Sequence, residues 1–566
     1  MTIISAAKGD RISHCVFLQG CTYDRETGNR TFDCRGTGPK RILLGTINLT
    51  AMITRRTFIS GSAAIAAAAA LYPEHAKADL SYGPSVRFSW EALQSWAEAL
   101  SQRPYDPHIP RNRELIHQID YDAFQQIRYR PDASILPAPD SYPVQLFHVG
   151  RYAMDPVRMF IVRDGESREV LYTTALFTYG DATFAKALTE DTGFAGFRVM
   201  RHNNQPDWMS FLGASYFRTT GETMQYGLSA RGLALNIGMP EPEEFPRFTN
   251  FWVEGLQGED GITIYALLES PSASGAYRIR AIRGNGAITE VDMVLHARTD
   301  VHRLGIAPLT SMFWYGKANR LQGTDWRPEI HDSDGLAMWT GSGEHIWRPI
   351  NNPPVTKLSS FFDNNPKGFG LLQRERSFEA YEDDGVFYNR RPSVWIEPVG
   401  AWGEGAVQLL EIPTDDETKD NVVAFWNPKT PFKSGDRISL NYRIHWRNEA
   451  PYPHGNGRVV ATRRGDGGIP GGDKRKGVTK YVVDFEGGDL AQLKNTDGVK
   501  LRLSASRGKT DAAVAYRVVD TPRWRVLFDY TPVGYEAGDL RAYLEKDGQA
   551  LTETWMYQHV DGPERK

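Results

Sequence analysis

The feature that most restricts the fold begins near residue 143 and runs to the end of the chain. There, short stretches of alternating apolar and polar residues are broken repeatedly by turn dipeptides. "VRMFIVRDGESREVLYT" reads as two strands joined at Asp164-Gly165, and "YRIRAIRGNGAITEVDMVLHAR" as a longer hairpin joined at Asn285-Gly286. Asp-Gly and Asn-Gly supply the left-handed backbone that a tight hairpin turn needs. "ITIYALLES" and "RISLNYRIHW" add further strands. In the latter, Ile438, Leu440, Tyr442, Ile444 and Trp446 share one face, because side chains alternate along a strand. Strand follows strand without regular helices between them, which predicts a mainly β protein of antiparallel sheets stacked as a large sandwich.

Two helices are expected ahead of the strands. Ser89 is placed to cap one, whose apolar stripe is Trp90, Leu93, Trp96, Ala97 and Leu100. Asp120 is placed to cap another in "DYDAFQQIRYRP", stopped before Pro131. With 566 residues the chain is too long for one ordinary core. "RNEAPYPHGNGR", Arg447 to Arg458, is turn-rich and poor in apolar residues, a candidate linker. The expected division is a large β-sandwich over 79–447, a linker over 448–458 and a smaller domain over 459–566. About seven short strands in the last segment, among them "KYVVDFEG", "VKLRLSA", "WRVLFDY" and "ETWMYQ", suggest an immunoglobulin-like sandwich without the Cys–Trp–Cys signature. "RRGDGGIPGGDKRKG" lacks the Walker pattern for a phosphate cradle and reads as a mobile surface loop.

The segment before residue 79 has a different character. Arg55-Arg56, the apolar run Ala63 to Leu71 and Ala76-Lys77-Ala78 stand in the order of a charged region, an apolar core and a small-residue cleavage site. Residues 52–78 therefore read as a twin-arginine (Tat) export signal cleaved between Ala78 and Asp79. Residues 1–51 read as an extension produced by numbering from too early a methionine, the rival being a genuine pre-sequence. Cys15, Cys21 and Cys34 all precede Met52, so disulfides, thiol chemistry and cysteine-ligated metals are excluded from the remainder. From residue 79 on, 56 basic and 64 acidic side chains leave about −8, which argues against a nucleic-acid partner. No apolar run approaches the roughly 18 residues of a membrane span.

The G-x-S-x-G elbow, the H-E-x-x-H zinc motif and the dinucleotide fingerprint do not occur. Carboxylates and aromatics instead cluster between about residues 325 and 430. "DWRPEIHDSDGLAMW" carries Asp325, Glu329, His331, Asp332 and Asp334 with Trp326 and Trp339. "VFYNRRPSVWIEP" adds Tyr388, Arg390, Arg391, Trp395 and Glu397, and "EIPTDDETKDN" adds Glu411, Asp415, Asp416, Glu417 and Asp420. Such a mixture suits a sugar cleft. Aromatic faces stack on pyranose rings, and two carboxyl groups flanking a glycosidic bond can hydrolyse it. Read plainly, the same residues also fit a turn at Asp332 and Asp334 and a solvated acidic loop at "DDETKD". The His331 cluster matches no dedicated calcium loop, and no metal or cofactor is expected.

At these residues the chain resembles the paired D and G proteins of osmoregulated periplasmic glucan biosynthesis. The stretches that carry the likeness include "FLGASYFR", "YGLSARGLA", "EEFPRFTNFW", "GIAPLTSMFW", "EIHDSDGLAMW", "RPSVWIEP" and "ETWMYQ". The Tat-like signal favours the D type. The resemblance implies a large galactose-mutarotase-like β-sandwich followed by a smaller immunoglobulin-like one, and a β-1,2-glucan substrate. It also implies an inverting endo-β-1,2-glucanase of the periplasm that trims the glucan backbone. Carried over by motif, Asp332 of "HDSD" matches the general base and Asp420 of "ETKDN" the general acid. Tyr388, Glu417, Asp334, Arg391, Trp339 and Trp395 are the candidate substrate-binding residues. Phe387 stands where several D proteins have Trp. The alternatives are a non-hydrolytic glucan-binding or assembly factor, working with a membrane glucan synthase or other proteins of the pathway, and a branching transferase.

Overall fold

The computed structural model describes residues 80–560 apart from 108, 190–191, 203–204, 257, 453–454, 470 and 535. The expected export signal, with Ala78 and Asp79, lies outside the described residues. The described chain is mainly β, and its strands form two large sheets, a four-stranded sheet and two small ladders.

The hairpins form where the turn dipeptides stand. Strands Arg158–Arg163 and Glu166–Val170 pair antiparallel across Asp164 and Gly165, whose φ values are 52° and 75°. Both turn residues take the left-handed conformation that matches strand twist. Ala273–Gly284 and Gly286–Ala297 pair along their whole length around Asn285. A Cβ on Gly286 would lie 2.2 Å from the Trp446 carbonyl oxygen, so only glycine fits there. Gly286–Ala297 in turn pairs with Arg437–Arg447, in which Tyr442, Ile444 and Trp446 are buried as the alternation requires.

Helix Trp90–Ser101 is capped by the Ser89 side chain, which accepts from the Ala92 N–H. Leu93 and Ala97 are buried against Val162, Trp252, Leu267 and Ala276. The expected stripe is narrower than its pattern, since Trp96 stays 41% exposed and meets Trp252 only edge-on. The helix at Asp120 is shorter than its pattern. It spans Tyr121–Gln126, and the chain turns into the strand Arg128–Tyr129, which pairs with Phe177–Thr178. Tyr129 packs edge-on against Phe177 in that ladder, an interaction no local signal announces.

Beyond residue 457 the strands Arg458–Gly467, Arg475–Glu486, Trp524–Thr531 and Lys509–Arg517 make a four-stranded antiparallel sheet. Lys500–Ala505, Gly538–Lys546 and Thr554–His559 face it across a core that includes Tyr481, Phe485, Trp524, Phe528, Leu540, Leu544 and Trp555. Thr554–His559 also pairs parallel with His345–Pro349, so this second layer continues a sheet of the N-terminal part. The segment expected to be a mobile loop is largely strand. "RRGDG" ends Arg458–Gly467 and "RKG" opens Arg475–Glu486, leaving a short connection between them. Arg475 at the start of the second strand pairs with Asp511.

Candidate active site

The site hangs from a strand end. Leu304–Ser311 is buried throughout and passes through Met312 into Phe313–Tyr315, which pairs with Ile330–His331. The Asp332 N–H donates to the Met312 carbonyl at 2.8 Å, and the Ser311 hydroxyl donates to Ser333 Oγ at 2.9 Å. On the other side, Asn421 Oδ1 accepts from the Phe313 N–H at 2.8 Å, while its Nδ2 donates to the Phe313 and Ile412 carbonyls at 2.9 and 2.8 Å. The "HDSD" and "ETKDN" segments are thus both pinned to Ser311–Phe313, which carries Asp332 and Asp420 on neighbouring loops. The role of Asn421 is absent from the sequence reading, where its one signal is that it follows Asp420 in the motif.

The Asp332 carboxylate is 5% exposed and forms an ion pair with Arg391. Burial pushes its pKa up, the Arg391 charge pulls it back, and the Asp420 charge pushes it up again. Arg391 also lies 4.1 Å above the Tyr388 ring. The Tyr388 hydroxyl donates to Glu417 Oε2 at 2.5 Å. Glu417 is gripped by Arg327 through two hydrogen bonds of 2.9 and 3.0 Å, and Arg327 reaches Asp325 at 2.9 Å and Asp383 at 2.7 Å. Asp332, Arg391, Tyr388, Glu417 and Arg327 therefore form one connected polar network, in which each group fixes the next. Phe387 enters this turn with φ 53°, a left-handed residue immediately before Tyr388.

Asp420 is half-buried. Its charge acts on Asp332, on Tyr216 and on Arg231. Arg231 is buried, donates to Thr310 Oγ1 at 2.7 Å and Glu243 Oε1 at 2.5 Å, and lies 4.7 Å over the Tyr216 ring. Arg231 and Tyr216 are cross-strand partners in Ser229–Arg231 and Tyr216–Thr219. Neither residue carries a local signal in the sequence, since each lies in a short strand of three or four residues. Trp326 was noted only as part of its cluster. It is 65% exposed beside Arg327, on a turn held by the Arg327 N–H bond to Asp325 Oδ1 at 3.0 Å.

Other candidates lie elsewhere. Asp334 has partners different from those of Asp332. Its Oδ2 accepts from the Arg374 and Glu375 N–H groups at 3.1 and 3.0 Å, which makes it a backbone clamp. Trp395 is buried in the core shared with Trp347, Tyr481 and Trp555, and Trp339 packs against the same core. A Cβ on Gly368 would stand 2.4 Å from the Trp395 ring, which shows how closely that indole is enclosed. Trp395 is buried, whereas Trp339 is only partly buried. In the acidic loop, Glu411 is buried with Arg348 at 2.9 Å, and Asp416 accepts from the Thr418 N–H at 2.7 Å. Of that loop, Glu417 joins the network through hydrogen bonds, and Asp420 acts on Asp332 through its charge. Among the described residues no group of three His, Cys, Asp or Glu is placed to hold a metal ion.

Residues 88–559 match the family described as periplasmic glucan biosynthesis protein, MdoG. The chain belongs to the MdoG periplasmic glucan biosynthesis family. Among its MdoG-family relatives, glucans biosynthesis protein D 2 of Ralstonia nicotianae is 45% identical over 526 residues, covering 90% of this chain and 98% of that one. Glucans biosynthesis protein D of Stenotrophomonas maltophilia is 45% identical over 487 residues, 85% of this chain and 91% of that one. A probable glucans biosynthesis protein D of Shewanella oneidensis is 45% identical over 482 residues, 84% and 89% of the two chains. The site segments "HDSD" and "ETKDN" fall inside the MdoG match, and among the described residues no helix is long and apolar enough to cross a membrane.

Proposed function

We propose that this MdoG-family protein is an inverting endo-β-1,2-glucanase that shortens glucan backbones in the periplasm after Tat export. The observation that carries the reading is the pairing of two unequal carboxylates on loops pinned to one strand end. Asp332 is buried and held by Arg391, whereas Asp420 is half-buried and faces it electrostatically. Two carboxyl groups in different environments can divide acid and base roles between them, and the likeness of "ETKDN" and "HDSD" to the family motifs assigns the acid role to Asp420 and the base role to Asp332.

In the proposed reaction Asp420 gives its proton to the glycosidic oxygen as the bond to the anomeric carbon breaks. A water attacks that carbon from the opposite face, and Asp332 takes the water's proton, directly or through an intervening hydroxyl. Arg391 opposes the upward push that burial gives the Asp332 pKa, and Tyr388 and Glu417 hold Arg391 and Arg327 in place beside it. The exposed Trp326 offers an apolar face on which a pyranose ring can stack.

Incubation with linear β-1,2-glucan tests this. New reducing ends and shorter products are expected, and Asp420→Asn should lower kcat about 10²–10⁴-fold, the usual contribution of a general acid. Wild-type activity in Asp420→Asn would remove Asp420 from the acid role. Binding without new reducing ends would favour an assembly factor, and branched products without net shortening a transferase.

A further inference from the structure

The strand Arg458–Gly467 belongs to the C-terminal sheet, yet it grips the site-bearing segments at two points. Arg464 Nε donates to the Ala318 carbonyl at 2.8 Å, and Ala318 packs against the C-terminal core. Ala318 lies in the 3-10 helix Lys317–Gln322. The first residue of that helix is tied to Glu329 twice, through the Lys317 N–H at 3.2 Å and the Lys317 ammonium at 3.6 Å. Glu329 Oε2 stands 3.2 Å from His331 Nε2, and His331 Nδ1 stands 2.8 Å from Gln373 Oε1. His331 is fully buried and immediately precedes Asp332. At the second point, Arg374 Nη1 donates to the Val459 carbonyl at 3.1 Å and to Glu553 at 2.6 Å, while the Arg374 N–H is held by Asp334. One strand of the C-terminal layer therefore braces the chain on both sides of His331 and Asp332.

We propose that the C-terminal sandwich is part of the scaffold of the active site, and that Arg464 is a positioning residue that sets Asp332 through Ala318, Lys317, Glu329 and His331. The inference rests on the hydrolase reading above for its kinetic consequence. The path consists of short, directed contacts to buried groups, and small displacements at a reacting carboxylate are amplified in rate. The groups facing His331 are Glu329 and Gln373 through its ring nitrogens, the Phe313 and Tyr381 rings, and the charges of Asp334 and Asp332. Loosening Lys317 displaces Glu329 relative to His331, and with it the His331 charge that faces Asp332, so both rate and pH dependence should respond.

The test compares Arg464→Met and Arg464→Lys in the full chain on linear β-1,2-glucan. Arg464→Met is expected to lower kcat about tenfold or more with KM within about twofold, and to shift a limb of the pH–rate profile. Arg464→Lys, which retains a donor for the Ala318 carbonyl, should recover most of the rate. Wild-type kcat and pH profile in Arg464→Met would overturn the proposal, as would Arg464→Lys being as impaired as Arg464→Met. If the wild-type protein releases no reducing ends, the hydrolase reading fails. The positioning inference is then decided by amide hydrogen exchange across residues 329–334, where faster exchange in Arg464→Met supports it and unchanged exchange refutes it.

Discussion

At the scale of single residues, the balance at Asp332 makes a signed statement about pH. Burial raises its pKa and Arg391 opposes that rise. Arg391→Met removes the opposing charge, so the carboxyl should stay protonated to higher pH. As Asp332 is the proposed base, the acid limb of kcat/KM is expected to move to higher pH in that variant. A limb that stays in place would mean that another group titrates there. The same substitution leaves a buried carboxylate unpaired and should cost about 3–5 kcal/mol of stability, read by chemical unfolding. Glu375 shows the opposite balance. Burial pushes it up, but hydrogen bonds from Lys317 and Ser377 outweigh that and hold its pKa down to about 2. It remains ionised near neutral pH and anchors Lys317.

At the scale of elements, one amide, that of Asn421, ties the loop that carries Asp420 to Phe313. Asn421 makes three hydrogen bonds to Phe313 and Ile412, two of them with the same residue. Asn421→Ala is expected to destabilise the protein by about 2–3 kcal/mol, since each such bond is worth about 1 kcal/mol and the deserted backbone groups are buried. A fall in activity beyond that in folded protein would show the loop to be unpinned, and unaltered unfolding and activity would show that Phe313 does not need it. Turns and caps were legible before the structure, because Asp164-Gly165, Asn285-Gly286, Ser89 and Asp120 act through their own backbone neighbourhoods. The early end of the Asp120 helix was not legible, because pairing of Arg128–Tyr129 with Phe177–Thr178 is a contact between distant segments. The carboxylate pair could be named from its motifs. Arg231 and Tyr216 could not, as they meet through the pairing of two short strands that carry no local signal.

At the scale of the whole described chain, the ion pair Arg374–Glu553, like Arg541–Glu344, joins the N-terminal part to the C-terminal sheets. Glu553 is 2% exposed, accepts from Arg374 at 2.6 and 3.1 Å and from the Val459 N–H at 2.6 Å, while Arg374 stacks 3.7 Å above the Trp347 ring. Glu553→Ala is expected to cost about 3–5 kcal/mol, because it strands a largely buried guanidinium. Unfolding should also become less cooperative if the two parts then open separately. A single transition at the wild-type midpoint would show that the shared core of Trp347, Trp395 and Trp555 couples the parts without it.

What the sequence determined by itself is local and periodic: strand alternation, turn chemistry, helix caps, a mainly β fold and the two motifs bearing Asp332 and Asp420. A period of two assigns side chains to faces, but it does not say which face meets solvent, a core or a cleft. Only the tertiary structure decided that Trp395 and Trp339 serve a core shared with the C-terminal strands while Trp326 stays in water. Only it set Asp334 to clamp backbone amides and Asp332 to meet Arg391. Burial and charge pairing depend on segments distant in the chain, and those two quantities fix what a carboxylate can do.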